Sequence, residues 1–221
     1  MRTVVFDLDG TLADTSADLI AAANACFEAR GLGLPLDPVA DALIAFHGGR
    51  AMLKAGYERL ADPQAEATIE ADYPRLLTHY AENICVETVL YPGAAEAVEA
   101  LRGAGFATAI CTNKPEGLAR DLVARLGIAD LFGALIGADT LPTRKPDPAP
   151  YRAAVEAVAG RIEASCLIGD TETDRKTAAA VGVPSVLVTF GPEGRAIERL
   201  APEALLDRYA DLPGLAARLL G

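Results

Sequence analysis

The chain has 221 residues, 51% hydrophobic and only 5% aromatic, which is enough apolar material for a sizeable core filled mainly by Ala, Leu and Val. Its formal net charge of −11 argues against a nucleic-acid footprint, which needs clustered Lys and Arg, and at long range opposes any anionic substrate. An anion site in such a chain has to be built locally, from a metal ion, helix N-termini and a few placed cations.

Met1 to Phe6 lead straight into an aspartate-rich segment, with no apolar stretch of signal-peptide length. Nowhere does the chain approach the ~20 apolar residues of a membrane span, so no membrane partner is expected. Residues 3–8 form the first of five short apolar runs; the others are 108–112, 134–137, 166–169 and 185–189. They are rich in Val, Ile and Leu without strict alternation, the pattern of parallel strands covered on both faces. Between the later runs lie helical patterns at 93–102, 115–126, 148–159 and 172–181. Strand–helix alternation of this kind predicts an α/β fold with right-handed crossovers and a doubly wound, mostly parallel sheet.

The segment after the first strand breaks that alternation. Helical patterns at 17–29, 38–46, 49–60 and 63–83 follow one another without a strand, which predicts an inserted all-helical cap over residues 14–83. The α/β core then comprises residues 1–13 and 84–221, resuming near Leu90-Tyr91-Pro92-Gly93, where Pro and Gly signal a helix start. Residues 202–220 read as one or two closing amphipathic helices. Cys26, Cys85, Cys111 and Cys166 are isolated, with no C-x-x-C pair and no nearby His, the usage expected of reduced thiols in a cytoplasmic protein. The only histidines are His47 and His79, neither at ligand spacing from a cysteine, which argues against zinc.

In an open parallel sheet, ligands bind beyond the carboxyl ends of the strands. The reactive residues of this chain fall there four times. Asp7 and Asp9 end the first strand, Thr112 and Asn113 the second, and Asp170 the fourth, with Asp174 one helical turn on. Lys145 lies in the loop after the third. Alternation along an extended strand points Asp7 and Asp9 to opposite faces, so they are not equivalent ligands through their carboxylates. One can bind a metal through its side chain while the other offers a backbone carbonyl; the same D-x-D pair can also cap a turn. Four carboxylates without histidine form a hard oxygen site, suited to Mg²⁺ rather than zinc. Asp170 and Asp174 can equally cap and begin a helix, and Asp170 is expected to do both. The Thr112 hydroxyl and the amides beside Asn113 make a phosphate cradle if a phosphate is present and an ordinary cap if not.

Asp7-Leu8-Asp9-Gly10-Thr11, the Thr112-Asn113 pair, Lys145-Pro146 and Gly169-Asp170-Thr171-Glu172-Thr173-Asp174 resemble, in order, the four motifs of the haloacid dehalogenase-like superfamily. The helical insert resembles that superfamily's cap, and Leu90-Tyr91-Pro92-Gly93 is similar to its phosphoglycolate phosphatase branch. The resemblance implies a Mg²⁺-dependent phosphatase that cleaves a small phosphorylated metabolite, 2-phosphoglycolate first, through a phosphoaspartyl intermediate. By the same resemblance Asp7 attacks phosphorus, Asp9 protonates the leaving alcohol and then activates water, and Thr112, Asn113 and Lys145 hold the phosphoryl oxygens. Asp7, Asp9, Asp170 and Asp174 would carry the metal. Asp9 argues against dehalogenases and phosphonoacetaldehyde hydrolases, which lack an acid there. A sugar phosphomutase shares that aspartate and stays as the alternative; loss of Asp7 or Asp9 would have marked a non-catalytic binding module, and both are present. His47 and Arg50 in Phe46-His47-Gly48-Gly49-Arg50 are the expected contacts to the leaving group, Arg50 pairing with a substrate carboxylate. The expected assembly is a monomer or homodimer.

Overall fold

The computed structural model describes residues 1–61 and 65–221. Strands run over Thr3–Phe6 (β1), Ala13–Asp14 (β2), Val89–Leu90 (β3), Ala107–Cys111 (β4), Ala134–Ile136 (β5), Ser165–Gly169 (β6), Ser185–Val188 (β7) and Ala204–Leu206 (β8). The α-helices are Ser16–Glu28 (α1), Ala42–Ala45 (α2), Gly49–Arg59 (α3), Ala65–Glu82 (α4), Ala94–Gly103 (α5), Glu116–Arg125 (α6), Pro148–Ala157 (α7), Glu172–Val181 (α8) and Leu212–Leu220 (α9). The chain divides into two compact units, Met1–Ala13 with Leu90–Gly221, and Asp14–Val89.

The first unit carries a six-stranded sheet in the order β5-β4-β1-β6-β7-β8, and every pairing in it is parallel. The doubly wound α/β fold expected from the alternating runs is therefore present. All four residues of β1 are buried, as a central strand covered on both faces requires. Val5, Ala109, Cys111 and Leu167 project to one face, where they pack against Tyr151, Ala154 and Val155 of α7 and Ala178 of α8. Each fully buried Val or Leu there contributes about 1.5–3 kcal/mol relative to exposure. The buried Tyr151 hydroxyl donates to Ser165 Oγ at 2.8 Å, and that hydroxyl donates to Ile162 O at 2.7 Å, so burial leaves neither polar group unpaired.

The register fixes where the strands end. Phe6 lies between Ile110 and Ile168, and the Asp7 amide extends the ladder to Ile168 O at 2.9 Å. Residues 7, 111 and 169 therefore stand abreast on three adjacent strands. Residues 202–220 differ from expectation: β8 precedes the helix and forms the sheet edge beside β7. The Glu203 carboxylate accepts from Ser185 N at 2.8 Å and Ser185 Oγ at 2.9 Å, which pins that edge strand in register.

The second unit is helical apart from the ends of the β2–β3 ribbon. α1, α3 and α4 pack together, with the Phe27 and Tyr57 rings edge to face at 4.8 Å. Gly56 permits this approach, since a Cβ there would lie 2.2 Å from the Phe27 ring. The expected helix over 38–46 shrinks to the four residues of α2, preceded by a turn in which the Asp37 carboxylate accepts from the Val39 and Ala40 amides at 2.9 and 2.7 Å. The expected helix over 63–83 is α4, with residues 63 and 64 outside the described residues. Buried Asp18 accepts from the Val86, Glu87 and Thr88 amides at 3.0 Å each, which ties residues 86–88 to α1. Among the described residues no helix is long and apolar enough to cross a membrane.

Candidate active site

Each strand that reaches this edge of the sheet is followed by a reason to turn. Beyond β1 the chain swings at Gly10, whose φ of 78° favours glycine, and the Gly10 amide donates to Ala13 O at 2.9 Å. After β6, Thr171 caps α8: its hydroxyl accepts from the Asp174 amide, and the Asp174 carboxylate accepts from the Thr171 amide. The cap of α8 is thus Thr171 and not Asp170, whose carboxylate turns away into the site. Asp147 caps α7 and accepts from Ala149 N at 2.8 Å, which fixes the end of the loop that carries Lys145.

The buried Lys145 ammonium lies 2.7 Å from Asp174 Oδ1 and 3.0 Å from Asp7 Oδ1. Burial disfavours its charge, but Asp174 and Asp7 outweigh that and hold it protonated far above the ordinary lysine range. Asp7 Oδ1 also accepts from the Leu8 amide at 2.8 Å. Burial pushes the Asp7 carboxyl up to about 6, helped by Asp174 and Asp9 and opposed by Lys145 and the Leu8 amide. Asp170 is driven well above its ordinary value by burial and then by Asp174 and Asp7, against Thr11 and Lys145. Its Oδ1 accepts from Thr11 Oγ1 at 2.7 Å, whereas its Oδ2 is buried without a hydrogen-bond partner.

One oxygen each of Asp7, Asp170 and Asp174 gather within 4.8 Å of one another. Three carboxylates facing one ammonium leave two negative charges, the complement of a divalent cation. The unpartnered Asp170 Oδ2 is an oxygen in need of such an ion, and an all-oxygen donor set suits a hard one. The residues present therefore fit a divalent metal. Asp174 is the most committed of the three. Its Oδ1 takes Lys145, and its Oδ2 accepts from Thr171 Oγ1 at 2.6 Å, Thr171 N at 3.1 Å and Asp170 N at 3.3 Å.

The Asp9 carboxylate lies outside that cluster. Its Oδ1 stands 2.8 Å from the ammonium of Lys114, a side chain only 4% exposed. Thr112 is buried at the end of β4, and its hydroxyl oxygen accepts from the Lys114 amide at 3.1 Å. The Asn113 side chain donates to Lys145 O at 3.0 Å, so it holds the lysine loop in place. Two residues of the site thus carried no role in the sequence reading, Lys114 and Thr11. Lys114 directly follows Asn113, and Thr11 is the last residue of the first motif, two after Asp9.

His47 and Arg50 belong to the other unit. Arg50 donates to Glu70 Oε1 and Oε2 at 2.6 and 2.9 Å and lies over the Tyr73 ring at 3.8 Å, in an ion pair whose two side chains are both more than half exposed. All four cysteines are unpaired, and burial pushes the Cys111 and Cys166 thiols up to about 12.

A parallel sheet that gathers carboxylates and two buried ammonium groups beyond its central strands has the fold and site of an α/β hydrolase whose donor set fits a divalent cation. A family model for haloacid dehalogenase-like hydrolases matches residues 1–182. The phosphoglycolate phosphatase of Agrobacterium fabrum is 36% identical over 218 residues, covering 98% of this chain and 93% of that protein. That of Rhodospirillum rubrum is 38% identical over 216 residues, covering 96% and 89%. A crystal structure from Haemophilus somnus, described as a predicted phosphoglycolate phosphatase, matches with a TM-score of 0.86 at 25% identity over 97% of both chains. The chain belongs to the haloacid dehalogenase-like hydrolases. It is an enzyme of the phosphatase kind, a phosphoric monoester hydrolase.

Proposed function

We propose that this phosphatase hydrolyses a small phosphate monoester, 2-phosphoglycolate first, in two displacements through a phosphoaspartyl intermediate on Asp7. The observation that carries the reading is the Lys145 ammonium held between Asp7 and Asp174. A lysine has three N–H donors, so two engaged carboxylates leave one for a phosphoryl oxygen. The name of the substrate rests on the curated relatives, which are phosphoglycolate phosphatases.

In this reading Asp7 attacks phosphorus while the Leu8 amide and Lys145 fix the plane of its carboxylate. Thr112, whose oxygen accepts from the Lys114 amide, turns its proton toward the phosphoryl group, and the Asn113 amide joins it. Asn113 also holds Lys145 through the loop carbonyl. Asp9 gives its proton to the departing alcohol and takes one back from the attacking water. Mg²⁺ would be held by Asp7 and Asp170, with a backbone oxygen of Asp9 and with Asp174 closing the set from behind. When bound it supplies the positive charge that offsets the phosphoryl group within an acidic protein.

The test is steady-state phosphate release from a panel of small phosphate esters, with and without Mg²⁺, for the natural chain and Asp7→Asn. The reading expects metal-dependent release, highest with 2-phosphoglycolate, and none from the variant. Equal cleavage of several sugar phosphates would overturn the substrate, and full activity of Asp7→Asn would overturn the mechanism.

A further inference from the structure

Asp9 is held by a cation that its assigned chemistry does not itself require. The Lys114 side chain is 4% exposed, and its Nζ lies 2.8 Å from Asp9 Oδ1. Its backbone is anchored on both sides, with the amide donating to Thr112 Oγ1 at 3.1 Å and the carbonyl accepting from Ala138 N at 2.9 Å. An ammonium brought to that depth loses hydration that a neutral side chain would not have to give up. The ion pair spans the ends of two adjacent strands, β1 and β4, and fixes the swing of a carboxylate that is 18% exposed.

We propose that Lys114 is the positioning residue for proton transfer by Asp9. The inference rests on the reading of Asp9 as the general acid and base. Because the ammonium donates to Oδ1, the carboxyl proton is confined to Oδ2, and the Asp9 side chain is kept in one rotamer. In the first displacement the Asp7–phosphorus bond forms, the bond from phosphorus to the ester oxygen breaks, and the Oδ2 proton passes to the departing alcohol. In the second, the water oxygen bonds phosphorus, the Asp7–phosphorus bond breaks, and the water proton returns to Oδ2. Lys114 forms no bond in either step. It determines where the proton waits.

A leaving group that needs no proton separates this role from others. The experiment compares kcat/KM for ethyl phosphate, whose alkoxide must be protonated, and for p-nitrophenyl phosphate, whose phenolate departs without help. It uses the full chain with Mg²⁺ and the variants Lys114→Met and Asp9→Asn. The expected result for Lys114→Met is a loss of about 10²-fold on ethyl phosphate and under about threefold on p-nitrophenyl phosphate. Asp9→Asn should show the same dependence more steeply. Equal losses on both esters from Lys114→Met would overturn the positioning role in favour of a contact to the phosphoryl group or a structural one. If Asp9→Asn shows no leaving-group dependence, the reading of Asp9 itself falls. If Lys114→Met does not fold, Lys114→Gln, whose amide is uncharged and one bond shorter than the ammonium, is measured in the same way and should again lose mainly on ethyl phosphate. Loss of the leaving-group dependence in that variant would again overturn the proposal.

Discussion

Lys145 and Asp174 meet 2.7 Å apart at the end of the sheet, and the second oxygen of the same carboxylate closes the capping box of α8. One aspartate therefore orients the site lysine and starts a helix. Asp174→Ala removes the carboxylate half of the capping box, and the Thr171 cap remains. It also leaves a buried ammonium with Asp7 as its remaining carboxylate partner, for a total loss of about 3 kcal/mol or more. Urea unfolding of the metal-free protein measures it, and a loss below about 1 kcal/mol would contradict the shared role.

Gly169 is the residue that makes room for that pair. A Cβ at position 169 would lie 2.4 Å from both Cβ and Cγ of Asp174, a contact that requires the backbone to shift and carries the carboxylate with it. Gly169→Ala is expected to destabilise by about 1–3 kcal/mol, as overpacking does. It should also lower kcat more than any exposed Gly→Ala change, because Lys145 follows Asp174. Unchanged kcat with reduced stability would show that the lysine is held without it.

The site was readable where chemistry demands particular residues at strand ends. Asp7, Thr112, Lys145 and Asp170 follow apolar runs, and a parallel sheet brings such ends together whatever the intervening lengths. What was not readable depended on partners distant in sequence. Ala204-Leu205-Leu206 contains no β-branched residue and suits a helix; it is a strand because β7 offers an open edge and Glu203 reaches Ser185. Lys114 sits beside Pro115 like any helix-start lysine, and only the fold brings it to Asp9, 105 residues earlier.

Asp170 should be the residue through which a divalent cation is felt most. Its carboxyl binds a proton more tightly in the fold than in the unfolded chain, because of burial and then Asp174 and Asp7. The contribution is therefore present below the unfolded pKa and is lost as pH rises through the folded value, so the metal-free protein weakens along that interval. Asp170→Asn removes this slope, and its metal-free Tm at neutral pH is expected to equal or exceed that of the natural chain. Mg²⁺ should raise the natural Tm by mass action and leave the variant unmoved. A variant that gains as much from Mg²⁺ as the natural chain would remove Asp170 from the metal site.

The helical unit carries the opposite dependence. Buried Asp72 accepts from Arg30 Nε and Nη2 at 2.8 Å each and from the Tyr57 hydroxyl. Burial alone would raise its pKa, but those hydrogen bonds outweigh it and hold the carboxyl below its ordinary value. Asp41 is lowered in the same direction, chiefly by Arg59, at 2.5 and 2.6 Å. A depressed carboxylate contributes stability above its unfolded pKa, near 3.8, and loses it as pH falls through the folded value. Arg30 and Arg59 are 38% and 46% exposed, so solvent screens both pairs and reduces their worth. Asp72→Asn is expected to cost about 1–3 kcal/mol at neutral pH, mainly because it leaves buried groups poorly paired. The difference from the natural chain should shrink steadily on acidification below about pH 4. Urea unfolding followed by far-UV circular dichroism across that range measures it, and a difference independent of pH would show that the carboxylate's charge contributes nothing to holding α1 and α3 against α4.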